Sequence, residues 1–130
     1  MTRHAKGQFD VQTKPDSGPD DAVGRFVLIK HFHGALDATS TGYMLAIRGD
    51  VAGSAGYVAM ERVTGVLDGR EGSFALQHNG IMVRNDPTLN ITIVPDSGTG
   101  ELKGISGALG IVVADGVHSY DLAYDIAPAT

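Results

Sequence analysis

Lys30, Glu61, His78 and His118 are the side chains of this 130-residue chain whose types and settings could move a proton or steady a charge. Each lies in a stretch where apolar and polar residues alternate, the period of a strand with one buried face. From Val117 to Ile126, His118, Tyr120, Leu122 and Tyr124 make an apolar face against Ser119, Asp121, Ala123 and Asp125, so His118 is expected inside. Phe74 and Leu76 set a parity that brings His78 inside, with Gln77 opposite. RFVLIKHFH is apolar on both faces: taking Phe26, Leu28 and Phe32 as core sets Lys30 among them and turns His31 and His33 outward, and the reverse parity is nearly as good. For GYVAMERVTG, periodicity leaves two choices open: Tyr57, Ala59, Glu61 and Val63 inside, or Val58, Met60, Arg62 and Thr64.

With Glu61 inside, a carboxylate, an ammonium and two imidazoles share an apolar interior, where such groups are costly unless paired. Burial and neighbours can then shift Glu, His and Lys towards neutral pH, which suits proton transfer. Glu61 and His78 are the candidate catalytic pair on that reading, with Lys30 steadying developing negative charge. The same residues also make a purely structural set, Glu61 paired with Lys30 or Arg62 beside two core histidines. Phe26, Tyr57 and Tyr120 could wall a ligand site that Lys30 and His118 help to orient, although strand tyrosines also serve simply as packing.

Other spacings carry less. His31-Phe32-His33 followed by Asp37 has the look of one half of a cupin metal site. The second half is missing, because Pro95-Asp96-Ser97-Gly98 is not followed by a histidine, and neither a metal nor another cofactor is expected. The absence of Trp removes the GxW motif of a lipocalin.

The elements that position these residues are written in a repeat. TGVLDGREGSF at Thr64 to Phe74 and TGELKGISGAL at Thr99 to Leu109 share TGxLxGxxG at a spacing of 35 residues, which predicts one kind of β-hairpin used twice. A looser third copy is expected at Gly34 to Gly42. Neither loop has the helix or the GK[ST] ending of a phosphate cradle. Eight strands follow: one around Phe9, Val11 and Thr13, then Arg25 to His33, Gly42 to Arg48, Gly56 to Val66, Ser73 to Arg84, Leu89 to Val94 continuing towards Leu102, Ala108 to Ala114, and Val117 to Ile126. Lys14 to Gly24 reads as a loop. Asn79-Gly80 is a hairpin signal by itself, but a turn there would break a long strand. Gly80 is therefore read as a bulge or a close approach, with the turn at Asn85-Asp86-Pro87 and another at Asp115-Gly116. Short glycine-bearing connections make neighbours antiparallel, and an eight-stranded up-and-down β-barrel leaves no exposed edge. Such a barrel is either filled by side chains or holds one small ligand.

Composition agrees with an all-β chain: 18 Gly, no Trp, no Cys and 42% hydrophobic residues, enough for a single domain over residues 1–130. The net charge of −5, without a run of Lys or Arg, argues against a nucleic-acid partner. No apolar run approaches the roughly 20 residues of a membrane helix, and MTRHAKGQFDVQT lacks a signal-peptide core, so a cytoplasmic protein with no membrane partner is expected.

YVAMERVTGVLDGREGSFALQHNG, VPDSGTGELKGISG, KHFHGAL and the closing HSYDLAYDI, in this order and spacing, resemble the bacterial family known as domain of unknown function 3224, from about Phe9 to Tyr124. The resemblance implies a barrel similar to that of allene oxide cyclase and the dirigent proteins, relatives that bind apolar or phenolic small molecules and steer cyclisation or coupling by cavity shape. It implies no catalytic residue position by position.

Three functions are compatible with these readings. A small-molecule-binding barrel would hold an apolar or phenolic ligand against Phe26, Tyr57 and Tyr120, oriented by Lys30, Glu61 and His78, in a cavity of several hundred cubic ångströms. An isomerase or cyclase would use Glu61 or His78 in the same lumen for proton transfer. A solid barrel would act through self-association. Strands apolar on both faces, such as RFVLIKHF and ELKGISGALGIVV, predict a homo-oligomer under all three. The binding reading asks least, because it needs only the cavity.

Overall fold

The alternation of apolar and polar residues becomes strand along almost the whole chain. A computed structural model describes residues 2–18 and 22–128, and its strands are β1 (Arg3–Pro15), β2 (Gly24–Gly34), β3 (Leu36–Arg48), β4 (Ala55–Leu67), β5 (Arg70–Val83), β6 (Asp86–Ile93), β7 (Thr99–Gly100), β8 (Ile105–Ala114) and β9 (Val117–Ile126). No described residue is helical. All nine strands belong to one antiparallel sheet in the order β4-β3-β2-β1-β9-β8-β6-β5-β7, and β4 pairs with β5 as well. Eight strands therefore close into an up-and-down barrel, and β7 lies outside it on the first residues of β5. The seams differ. β4 and β5 stay in register from Ala55↔Met82 to Leu67↔Arg70, whereas β6 and β8 share only the bridged pair Thr92↔Ala108.

Three turns differ from expectation. The two copies of the repeat do not form the same hairpin. In the first, Asp68 and Gly69 both have positive φ, 48° and 84°, and make the tight two-residue turn between β4 and β5. At the matching positions of the second, Gly104 has φ 86° but Lys103 is not left-handed, and the chain coils through 101–104 instead of reversing tightly. The second copy packs on the first: Glu101 N donates to Glu71 O, and Glu71 N donates to Glu101 Oε1. What the repeat preserves is burial, since Leu67 and Leu102 are both enclosed, as are Phe74 and Leu109. The proposed third copy is no turn: residues 36–42 belong to β3, and the reversal lies at Gly34-Ala35. The turn after β5 is Arg84-Asn85, with φ 47° and 73°, one residue earlier than expected, and Asp86 and Pro87 already pair with Val83 and Met82.

Other strand limits shift as well. β6 stops at Ile93 rather than running on towards Leu102. The expected 14–24 loop is shorter, because Lys14, Pro15 and Gly24 pair in strands; residues 19–21 lie outside the described residues. Asp115-Gly116 is the tight turn expected, with φ 52° and 77°.

The barrel is packed at one end and open at the other. At the base, Leu36, Leu67, Phe74, Leu102, Leu122 and Tyr124 are fully enclosed. Two tyrosines pin this end: Tyr120 Oη accepts from Leu36 N (3.0 Å) and donates to His33 O (2.8 Å), and Tyr124 Oη donates to Asp68 Oδ2 in the turn. At the opposite end the inward-facing residues of β3 to β6 lose their cover, and Met82 and Leu89 are 38% and 40% exposed.

Candidate functional site

The strand register decides the open question of parity. Ala59, Glu61 and Val63 face inward on β4, and Met60, Arg62 and Thr64 outward. His78 on β5 faces the same interior, as the alternation around Phe74 and Leu76 predicts, and so does Lys30 on β2, the slightly favoured of its two parities. Their relative exposures are 6% for Lys30, 3% for Glu61 and 3% for His78, so all three titratable groups are withdrawn from water. His31 and His33 point out, where their rings stack at 4.1 Å and face Asp37 and Asp10. Among the described residues, no group of three or more His, Cys, Asp or Glu is arranged to hold a metal ion.

Glu61 is the centre. Lys30 Nζ donates to its Oε2 at 2.8 Å and Ser40 Oγ to its Oε1 at 2.8 Å. His78 Nε2 lies 2.5 Å from Oε2, and this buried nitrogen has no other partner among the described residues. Lys30 also stands over the Phe9 and Phe32 rings at 5.3 and 6.0 Å, a setting in which aromatic faces favour a cation. Burial alone would raise the Glu61 carboxyl. The contact with His78 and the Lys30 charge outweigh it and hold the group down to about 2.

Ser40 was not legible as a site residue, because residues 34–42 read as a turn. The signal was nevertheless present: Leu36, Ala38, Ser40 and Gly42 alternate with Asp37, Thr39, Thr41 and Tyr43. Gly42 is part of the same arrangement. It lies opposite Glu61, and a Cβ there would stand 2.1 Å from Met60 O and 2.7 Å from Glu61 Cα. The glycine lets β3 come close enough for Ser40 to reach the carboxylate.

The other expected site residues separate. His118 is half-buried and packs on Phe9, ring centroids 5.2 Å apart, without a polar contact to Glu61. Tyr120 is at the base, its hydroxyl committed to the β2–β3 hairpin and its ring edge-on to Phe32. Phe26 is half-buried near the open end, in register with Met44. Tyr57 alone among these residues lines the cavity there. Its ring lies against Gly80, where a Cβ would be 2.1 Å from Tyr57 Cε1, so Gly80 is a close approach within an unbroken register and not a bulge.

That cavity has a volume of about 250 Å³ and is walled by Met44, Ala46, Tyr57, Gly80, Met82 and Leu89 with their strand neighbours. Tyr57 connects it to the charged group beneath, for its ring centroid is 6.4 Å from that of His78. Burial, and then the negative charge of Glu61, push the Tyr57 phenol up from its ordinary pKa, so it stays a hydrogen-bond donor. Its hydroxyl makes no hydrogen bond to any described residue. A groove of about 300 Å³ on the outer wall, between Thr41, Tyr43, Met60 and Arg62, touches Glu61 only from outside, because the Glu61 side chain is fully enclosed. The chemistry and the outer groove are therefore separate.

The family model described as protein of unknown function (DUF3224) matches residues 5–124. The chain is also similar to the crystal structure, at 1.84 Å resolution, of a DUF3224 protein of unknown function from Shewanella oneidensis MR-1. The two are 42% identical, with 99% of this chain and 100% of that one covered and a TM-score of 0.93. None of the curated proteins matches significantly.

Proposed function

Because this chain belongs to the DUF3224 family, whose function is not established, its role has to be read from its own geometry, and we propose a barrel that binds a small apolar or phenolic molecule in the open end of its lumen. The supporting observation is the cavity: about 250 Å³, enclosed on its sides by strands β3 to β6, and lined by apolar side chains that packing leaves uncovered. Its volume falls at the small end of ligand sites.

Proton transfer by Glu61 is the weaker reading. A general base works best with a pKa near the operating pH, and a carboxylate held at about 2, with both oxygens accepting hydrogen bonds, has little appetite for a proton. We assign Glu61 and Lys30 to holding the lumen together, and Tyr57 to the ligand. A cytoplasmic bacterial setting and self-association belong to the same proposal; Tyr43, Leu45, Val58, Met60 and Ile81 form an exposed apolar surface on the outer wall that supports the latter.

The test is native mass spectrometry of the protein purified from its own host, with the variant Ala46→Phe, which fills the cavity, as its partner. A small molecule at one copy per chain, absent from the variant, is the expected result. An empty wild-type chain, or a molecule retained by the variant, overturns the proposal.

A further inference from the structure

The lining of the open cavity restricts what it can hold. None of its lining residues is charged, and only Tyr57 and Thr88 carry side-chain hydroxyls. Thr88 is in register with Ile81 on the outer parity of β6 and is exposed, which leaves the Tyr57 phenol as the polar group facing a ligand. That phenol has no partner among the described residues and stays protonated. The ions beneath do not help a charged ligand: Lys30 and Glu61 are bound to each other at 2.8 Å and their side chains are 6% and 0% exposed. A carboxylate or ammonium head seated beside Tyr57, at the inner end of the cavity, would lose water without gaining a free countercharge. Size sets the other limit, since a buried apolar cavity of about 150 Å³ accepts benzene and this one, at about 250 Å³, has room for somewhat more than a single ring.

We infer that the ligand is an uncharged molecule of one or two rings, apolar except for one hydrogen-bond-accepting oxygen, which the Tyr57 hydroxyl binds. The inference rests on the binding proposal and names the chemical class of its ligand. It divides three molecules of nearly equal size: acetophenone has the ring and the acceptor, ethylbenzene the ring alone, and benzoate the ring with a charge.

The protein supplies its own reporters. Met44 and Met82 line the cavity and Met60 lies on the outer wall, so methyl NMR of methionine-labelled protein distinguishes the two locations. Acetophenone is expected to shift the Met44 and Met82 signals and leave Met60 unmoved. It should bind about three- to tenfold more tightly than ethylbenzene, the worth of one neutral hydrogen bond, while benzoate at equal concentration shifts neither cavity signal. In Tyr57→Phe the ring and its packing on Gly80 are kept, and acetophenone and ethylbenzene should bind alike. If both bind equally to the wild type at Met44 and Met82, the inference fails and the binding proposal stands; if benzoate binds best there, the inference fails and the lumen site stands without its apolar or phenolic class. If the three leave Met44 and Met82 unmoved, or move Met60 instead, both fail.

Discussion

A carboxylate that two partners hold by hydrogen bonds is easy to disturb one atom at a time. Glu61→Gln leaves Lys30 buried without a countercharge, and breaking a buried pair in this way costs about 3–5 kcal/mol. The double variant Glu61→Leu with Lys30→Met removes both charges and should recover most of that loss in urea unfolding, which identifies the pair as a coupled unit. The same carboxyl governs the response to acid. In the folded barrel its pKa is lowered from 4.5 to about 2, so the unfolded chain takes up the proton more readily. Its stabilising contribution is complete above about pH 4.5 and disappears as pH falls towards 2, a loss on the order of 3 kcal/mol. Unfolding midpoints measured across this window should fall for the wild type and stay flatter for the double variant.

Strands transmit these demands through two glycines that differ in what opposes a side chain. At Gly42 an added methyl meets the Met60 carbonyl and the Glu61 main chain, neither of which can give way without parting β3 from β4. At Gly80 it meets the Tyr57 ring, which can rotate. Gly80→Ala should therefore cost about 1–3 kcal/mol as Tyr57 is displaced, and Gly42→Ala should cost more in the same denaturation series. Much of this scale was legible in advance. The strands around His78 and Tyr120 and the tight turn at Asp115-Gly116 follow from period-two alternation and turn chemistry, as does the unbroken strand through Gly80, where a bulge and a close approach were both open. The second copy of TGxLxGxxG misled because glycine spacing does not say whether the residue before a glycine turns left-handed; Asp68 does and Lys103 does not. Ser40 escaped because residues 34–42 read as a turn, and the cavity, though expected, could not be given its walls. A cavity is the space that several strands fail to fill, and no single strand records it.

For the molecule as a whole, the contrast is between a filled base and an uncovered wall. Tyr43, Leu45, Val58, Met60 and Ile81 are each 44–61% exposed on adjoining strands, more contiguous apolar surface than single scattered residues would give. Sedimentation velocity at micromolar concentration should show an assembly larger than the monomer, and Met60→Glu with Val58→Lys should disperse it without altering the strand content seen by circular dichroism. A monomeric wild type would remove self-association from the proposal.

The single bridged pair between β6 and β8 makes this cylinder unequal around its circumference. When thermal motion parts it, two strand edges meet solvent, and each is a template for another chain in the same condition. Amides of β6 should exchange with deuterium ahead of those of β4, and storage losses should follow the opening of this seam rather than the melting of the barrel. The chain has no cysteine, so Thr92→Cys with Ala108→Cys would place its only two thiols at paired positions on the outer wall, a separation that a disulfide can span. The oxidised variant should resist fibrillation on prolonged warming, while the reduced one should age as the wild type does.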